Sequence, residues 1–175
     1  MDTYQLKKVL KADLGSSFAG VYALDIIPKH LNFKEKAMVI NTDPQDQPGA
    51  HWVCLYLDGD TIEYFDSYGF PPLYKEIQEF IERNSHHMIY NGRRYQDFTS
   101  KVCGEYCVYF LHHRHRRGRK VLKQLFPKHW TPKQTDRYVR QWFNENYKKP
   151  KTHKGQCCKS YDQTWQERAP SSARE

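Results

Sequence analysis

The stretch CGEYCVYFLHH, from Cys103 to His113, is apolar nearly all round until its histidines. A helix without a polar stripe has no face to offer water, so it belongs in the centre of a fold with other elements packed round it. Upstream, two β-rich runs, His51 to Leu57 and Thr61 to Phe65, flank Asp58-Gly59-Asp60, whose Asp-Gly pair signals a tight hairpin turn. A buried helix together with an antiparallel hairpin makes the class α+β. The remaining elements follow from periodicity. Leu6, Val9 and Leu10 lie at helical spacing in residues 3–13, with Gly15 as the stop, and Ala37 to Ile40 reads as a strand. Thr42 to Gly49 (TDPQDQPG) is a loop dense in turn formers. The spacing of Leu73, Ile77, Phe80 and Ile81 predicts an amphipathic helix from Pro71 to Glu82, and Met88 to Tyr90 a brief strand. Thr131-Pro132-Lys133-Gln134 is a capping box with Pro at the first helical position, opening a last helix that lines up Tyr138, Val139, Trp142 and Phe143.

At 175 residues, with 38% hydrophobic and 27% charged residues, the chain suits one ordinary domain rather than two, and a packed core rather than disorder. Residues 1–150 read as that domain and 151–175 as a loosely held polar tail. No run approaches 18 apolar residues, so no membrane span is expected. MDTYQLKKVLKADLG holds no apolar run of the kind a secretory leader needs. Five cysteines, an odd number without framework spacing, favour a reducing compartment. The net charge of +8 is unevenly placed. Residues 112–159 hold 15 Lys and Arg against two acids, a net of +13, and the rest carries 13 basic and 18 acidic groups, a net of −5.

Three positions carry reactive chemistry: His51 opening a strand, Asp66 ending the next strand of the same hairpin, and Cys103 opening the buried helix. A cysteine nucleophile must be a thiolate, and both a helix N-terminus and an imidazolium neighbour favour that form. His51 would supply the imidazolium and later protonate the leaving amine, while Asp66 would fix its tautomer and orientation. Gly104 would keep the space beside the nucleophile clear for a substrate backbone. Each residue alone has an ordinary structural reading: a buried small hydrophobe for Cys103, a turn residue for Asp66. Cys107, one turn on, reads as only that kind of hydrophobe.

Taken together, GAHWVCLYLDGDTIEYFDSYGF and YQDFTSKVCGEYCVYFLHH resemble the adenovirus protease (adenain) family, part of the larger group of SUMO and ubiquitin-like-protein proteases. LKKVLKADLG, FAGVYALD and MVINTDPQDQPGAHW extend the resemblance, which covers about residues 4 to 115. It implies a papain-like, adenain-like cysteine protease fold: a central mixed β-sheet against helices, with the nucleophile at the N-terminus of a buried helix. Carried over, it implies Cys103 as nucleophile, His51 as general base and acid, and Asp66 as the orienting carboxylate where adenains commonly have Glu. Gln96, seven residues before Cys103, falls where the family has its oxyanion-hole Gln. With the Cys103 N–H it would stabilise the tetrahedral intermediate, at ~3–4 kcal/mol per donor. Trp52 is implied as a wall of the substrate cleft. The implied substrates are viral structural precursors cut at Gly-containing sites during virion maturation, with a virus or a Maverick/Polinton-type element as source. Virion and host nucleus are the implied locations, and the chain is read as a monomer.

Adenains use DNA as a cofactor and are activated by a short viral peptide that forms a disulfide upstream of the catalytic Gln. HHRHRRGRK suits phosphate contacts through Arg114, Arg116, Arg117, Arg119 and Lys120, or equally a solvated basic face or a nuclear-import signal. The disulfide is not expected, because Ser85 lies near that cysteine's place and no Cys occurs between Cys54 and Cys103. Glu105 would oppose the thiolate unless it faced solvent. No metal or organic cofactor is expected: Cys103 and Cys107, at i and i+4 on a buried helix, lack turn-based zinc spacing. Two other readings stay open. One is a SUMO or ubiquitin-like isopeptidase with the same triad, the other an inactive nucleic-acid-binding protein that keeps the fold.

Overall fold

The Asp58–Asp60 signal closes a hairpin whose strands, β3 (Trp52–Asp58) and β4 (Thr61–Phe65), pair from Asp58 opposite Thr61 to Cys54 opposite Phe65. Gly59 sits at φ +62°, a conformation that a side chain at the tip would resist. The computed structural model describes residues 1–148. The tail read at 151–175, with Cys157 and Cys158, lies outside the described residues. Inside them, β2 (Ala37–Asn41) runs antiparallel to β3. At the two edges, β1 (Phe18–Tyr22) is parallel to β2 and β5 (His87–Tyr90) is parallel to β4. The sheet is therefore mixed, in the order β1-β2-β3-β4-β5.

Strand alternation sorts the core into two layers. Ala37, Val39, Cys54, Tyr56 and Phe65 face a cluster built with α1 (Thr3–Leu14), α3 (Cys103–Arg117) and α4 (Pro132–Phe143). Met38, Ile40, Val53, Leu55, Ile62 and Tyr64 face the other way, onto Ile77, Phe80 and Ile81 of α2 (Lys75–Asn84). As its composition requires, α3 is buried nearly all round from Tyr106 to Leu111, and Phe110 stacks on Phe65 at 4.7 Å. It runs a turn beyond His113 and stops where the Gly118 N–H reaches back to the Arg114 carbonyl. The capping box at Thr131 and Gln134 forms as read, and Val139, Trp142 and Phe143 are buried.

Two further elements depart from the sequence reading. The helix expected from Pro71 starts at Lys75, and Leu73 is 65% exposed instead of lying on its apolar face. Pro72 disfavours the helical conformation at Pro71, and Tyr74 is extended at φ −89° and ψ 133°, so the helix begins only after it. Strand β1 (FAGVY) is not announced by periodicity; its register with β2 shifts at Ala19, which lies between the paired Phe18 and Gly20.

The basic stretch also needs correcting. Arg114 was expected at a phosphate-binding surface, but it is 3% exposed and enclosed between α3 and the hairpin. Its guanidinium pairs with fully buried Glu63 and with Asp58 at 2.8 Å, and lies 4.3 Å over the Tyr56 ring. The physical reason is long-range. Glu63 points inward from β4 on the same side as Phe65, and a charge at that depth needs a partner from the helix above it. Arg116 pairs with Asp13 of α1 at 2.7 Å and Arg119 with Asp58 at 2.8 Å, both from the surface. Arg117 and Lys120 are exposed. No helix among the described residues is long and apolar enough to cross a membrane.

Candidate active site

His51 immediately precedes β3 and Asp66 immediately follows β4, so the hairpin register brings the two to the same end of the sheet. Their side chains meet there, His51 Nε2 to Asp66 Oδ1 at 2.8 Å. Both backbones are held. The Thr42 N–H donates to the His51 carbonyl at 2.9 Å. The Asn91 amide accepts from the Asp66 N–H at 3.0 Å and donates to the Asp66 carbonyl at 2.7 Å. Asp66 Oδ1 also accepts from the Tyr68 N–H at 2.8 Å, and the Tyr68 ring stacks on the imidazole at 4.7 Å. Asp, a methylene shorter than the family's Glu, reaches His51 because this turn carries its carboxylate to the ring.

With Nε2 committed to Asp66, the other imidazole nitrogen, Nδ1, is buried and makes no hydrogen bond. Burial opposes a charge on the ring. The Asp66 hydrogen bond and the nearby Cys103 sulfur outweigh it, and the His51 pKa is pushed up to about 9. Cys103 is the first residue of α3, and no side chain caps that helix end. Its leading N–H groups and the positive end of the helix therefore lie at the sulfur.

Gln96 is fully buried in the segment leading into α3. Its carbonyl accepts from Ser67 Oγ at 2.7 Å, and its amide donates to the Ser100 carbonyl at 2.9 Å and to the Tyr68 hydroxyl at 3.3 Å. The same segment is tied to α4. Asp136 accepts from the Tyr106 hydroxyl at 2.8 Å and from the Asp97 N–H at 3.2 Å.

Gly104 does not border open space. A Cβ there would stand 3.0 Å from Met1 Cβ and 3.5 Å from Trp52 Cδ1, so its missing side chain admits Met1 against the helix. The Trp52 indole N–H donates to the Met1 carbonyl at 3.2 Å, and the ring lines a groove of about 480 Å³ with Tyr22, Asn41 and Gly49. Glu105 does not point freely into solvent: its Oε2 is buried without a hydrogen-bond partner. Cys107 is fully buried beside Cys54, and burial drives its thiol well up. Among the described residues, no three His, Cys, Asp or Glu side chains are gathered as metal ligands.

No protein-family model matches the chain, and no curated protein matches it in sequence. Solved structures do match. The ASFV pS273R protease superposes with a TM-score of 0.55 at 18% identity, over 79% of this chain and 66% of its own length. The protein has that protease's fold. It is the α+β cysteine protease architecture expected from the sequence, a mixed five-stranded sheet packed against helices. The chain spans just under two thirds of that protease. The SUMO protease Ulp1 matches at 15% identity with a TM-score of 0.48, over 80% of this chain and 74% of that one. ChlaDub1 from Chlamydia trachomatis matches at 16% identity and 0.46, over 65% and 60%.

The structure thus brings His51 and Asp66 into contact, sets Cys103 at a helix start beside them, and keeps Gln96 behind the surface. Sequence reasoning missed Asn91, Ser67 and Tyr68. Past Asp66, Ser67-Tyr68-Gly69 carried only a turn signal, and nothing local ties Asn91 to Asp66, 25 residues earlier.

Proposed function

We propose that this chain is a cysteine endopeptidase that cuts peptide bonds at Gly-containing sites. The observation that carries the reading is the 2.8 Å contact of His51 with Asp66, which leaves a buried, unpartnered Nδ1 beside a cysteine at an uncapped helix start. Asp66 would hold the imidazole and favour its cation. The Cys103 thiolate would attack the scissile carbonyl, and His51 would give its Nδ1 proton to the departing amine. His51 would then take a proton from the water that hydrolyses the thioester. The Cys103 N–H, at the uncapped helix start, would hold the oxyanion, and Trp52 would form a wall of the substrate cleft.

The adenain resemblance makes viral structural precursors the proposed substrates and the virion and host nucleus the proposed places of action. Non-specific duplex DNA is the proposed cofactor, met by Arg117 and Lys120, with Arg116 and Arg119 at the margin. An activating peptide would have to bind without a disulfide near Ser85, whose hydroxyl instead caps α2 on the Ile81 carbonyl.

The test incubates the chain with Gly-X and Gly-Gly peptides and with SUMO and ubiquitin precursors, alongside Cys103→Ala. Peptide cleavage abolished by the substitution supports an endopeptidase. Cleavage of the folded modifiers alone would make it an isopeptidase, and cleavage that survives Cys103→Ala removes the cysteine from the mechanism.

A further inference from the structure

Gln96 has no free hydrogen left for a substrate. The Ser100 carbonyl can only accept, so it fixes the amide nitrogen on its own side. The second N–H goes to the Tyr68 hydroxyl, and the amide carbonyl is taken by Ser67. The whole side chain is shielded from the cleft.

Tyr68 lies between that amide and the imidazole, touching Gln96 through its hydroxyl and His51 through its ring. It is half-buried, its backbone N–H is fastened to Asp66, and its ring lies against His51. Its hydroxyl oxygen accepts from Gln96, and its own proton meets no acceptor among the described residues. Burial first, and then the charges of Cys103 and Asp66, raise its pKa, so it remains a donor.

We propose that the Tyr68 hydroxyl, polarised by Gln96, is the side-chain donor to the oxyanion, with the Cys103 N–H as the other donor. Gln96 is then a positioning residue, one step behind the substrate. A chain of the form N–H···O–H···O⁻ strengthens its terminal bond, because each donor polarises the next. A phenol O–H to an anionic oxygen is a short, charge-assisted bond. The inference rests on the cysteine-protease reading and specifies where its transition state is held.

Tyr68→Phe tests it, because the ring keeps its stack on His51 and only the hydroxyl is lost. Two rates are measured on the full chain: turnover of a Gly-X peptide, and alkylation of Cys103 by iodoacetamide, which forms no oxyanion. The expected result is a loss in kcat of about 10²-fold with KM within about twofold, while the alkylation rate and its pH profile do not move. Gln96→Met added to Tyr68→Phe should cost little more than Tyr68→Phe alone, since the two act in one chain.

Three results overturn the proposal. Unchanged or raised kcat in Tyr68→Phe leaves Tyr68 without a donor role. A parallel fall in alkylation makes it a support for His51. A further loss of about 10²-fold on adding Gln96→Met returns direct donation to Gln96. The parent reading fails separately: wild-type chain that is alkylated at Cys103 yet turns over neither peptide nor SUMO or ubiquitin precursor is not a protease, and Tyr68 then has no oxyanion to serve.

Discussion

The hydrogen bond from His51 to Asp66 acts on the imidazole in two ways at once. It fixes the tautomer, leaving Nδ1 for the sulfur side, and it favours the cation that the proposed mechanism uses to protonate the leaving amine. Burial works against the cation, and the carboxylate together with the Cys103 sulfur overcomes it, which is why the pKa stands at about 9 and not near 6.5. Activity that needs the protonated ring should therefore persist through neutral pH and fall on an alkaline limb near pH 9. Asp66→Asn keeps the shape but removes the charge, so the limb should move toward neutrality. A pH series of kcat/KM on both proteins checks this, and an unmoved limb would assign it to another group. The raised pKa also bears on folding. Because the folded value exceeds the unfolded one, the stabilising contribution of His51 is full below about pH 6.5 and is lost as pH rises toward 9.

Between α3 and the hairpin, Arg114 is the tie. Its side chain is 4% exposed and that of Glu63 is fully buried, so removing either charge strands the other. Arg114→Met should cost about 3–5 kcal/mol, and Glu63→Leu added to it should recover much of that loss; chemical denaturation of the single and double variants checks both. On the far side of α3, Asp136 binds the Tyr106 hydroxyl and the Asp97 N–H and so holds the Gln96 segment to α4. Asp136→Ala leaves the Asp97 N–H short of an acceptor and the Tyr106 hydroxyl with the Tyr95 carbonyl alone. It should cost roughly 2 kcal/mol and lower kcat at temperatures where the fold is intact, measured by melting and turnover together. These ties mark where sequence reading stops. Helix α3 and the hairpin were readable because all-round apolarity and an Asp-Gly turn are local signals. His51 and Asp66 were readable as neighbours because one hairpin carries both, and Cys103 as a helix start. Arg114 was not, because HHRHRR looks like a solvated face until Glu63, 51 residues earlier, is seen to point inward. Tyr68 was hidden in a turn for the same reason: its partners His51 and Gln96 come from other segments.

Over the molecule as a whole, charge and protonation set two further expectations. His113 is buried against Tyr109 and Trp142 with Nε2 unpartnered. Burial, and then the charges of His112, Arg117 and Arg116, lower its pKa to about 3, against the smaller pull of Asp13. A depressed folded pKa gives stability that is present above about pH 6.5 and lost as pH falls toward 3, the reverse of His51. The melting temperature should therefore be highest near pH 6.5 and fall on both sides, with His113→Phe flattening the acid side and His51→Gln the alkaline side. The net of +13 over residues 112–159 needs the same accounting, and part of that span lies beyond the described residues. Arg114, Arg116 and Arg119 spend charge on Asp58, Glu63 and Asp13, so the acidic body already neutralises part of the basic segment. A polyanion would meet the groups left over. Each phosphate contact contributes about 0.9 to the slope of log K against log salt, so replacing Arg117 and Lys120 by Ala should lower the duplex-DNA slope by roughly 1–2. Arg116→Ala and Arg119→Ala should lower it less, because each also releases a carboxylate that repels the phosphates. Equal effects at all four positions would mean that the ion pairs open when DNA binds, and a flat slope in the unaltered chain would remove DNA as a partner.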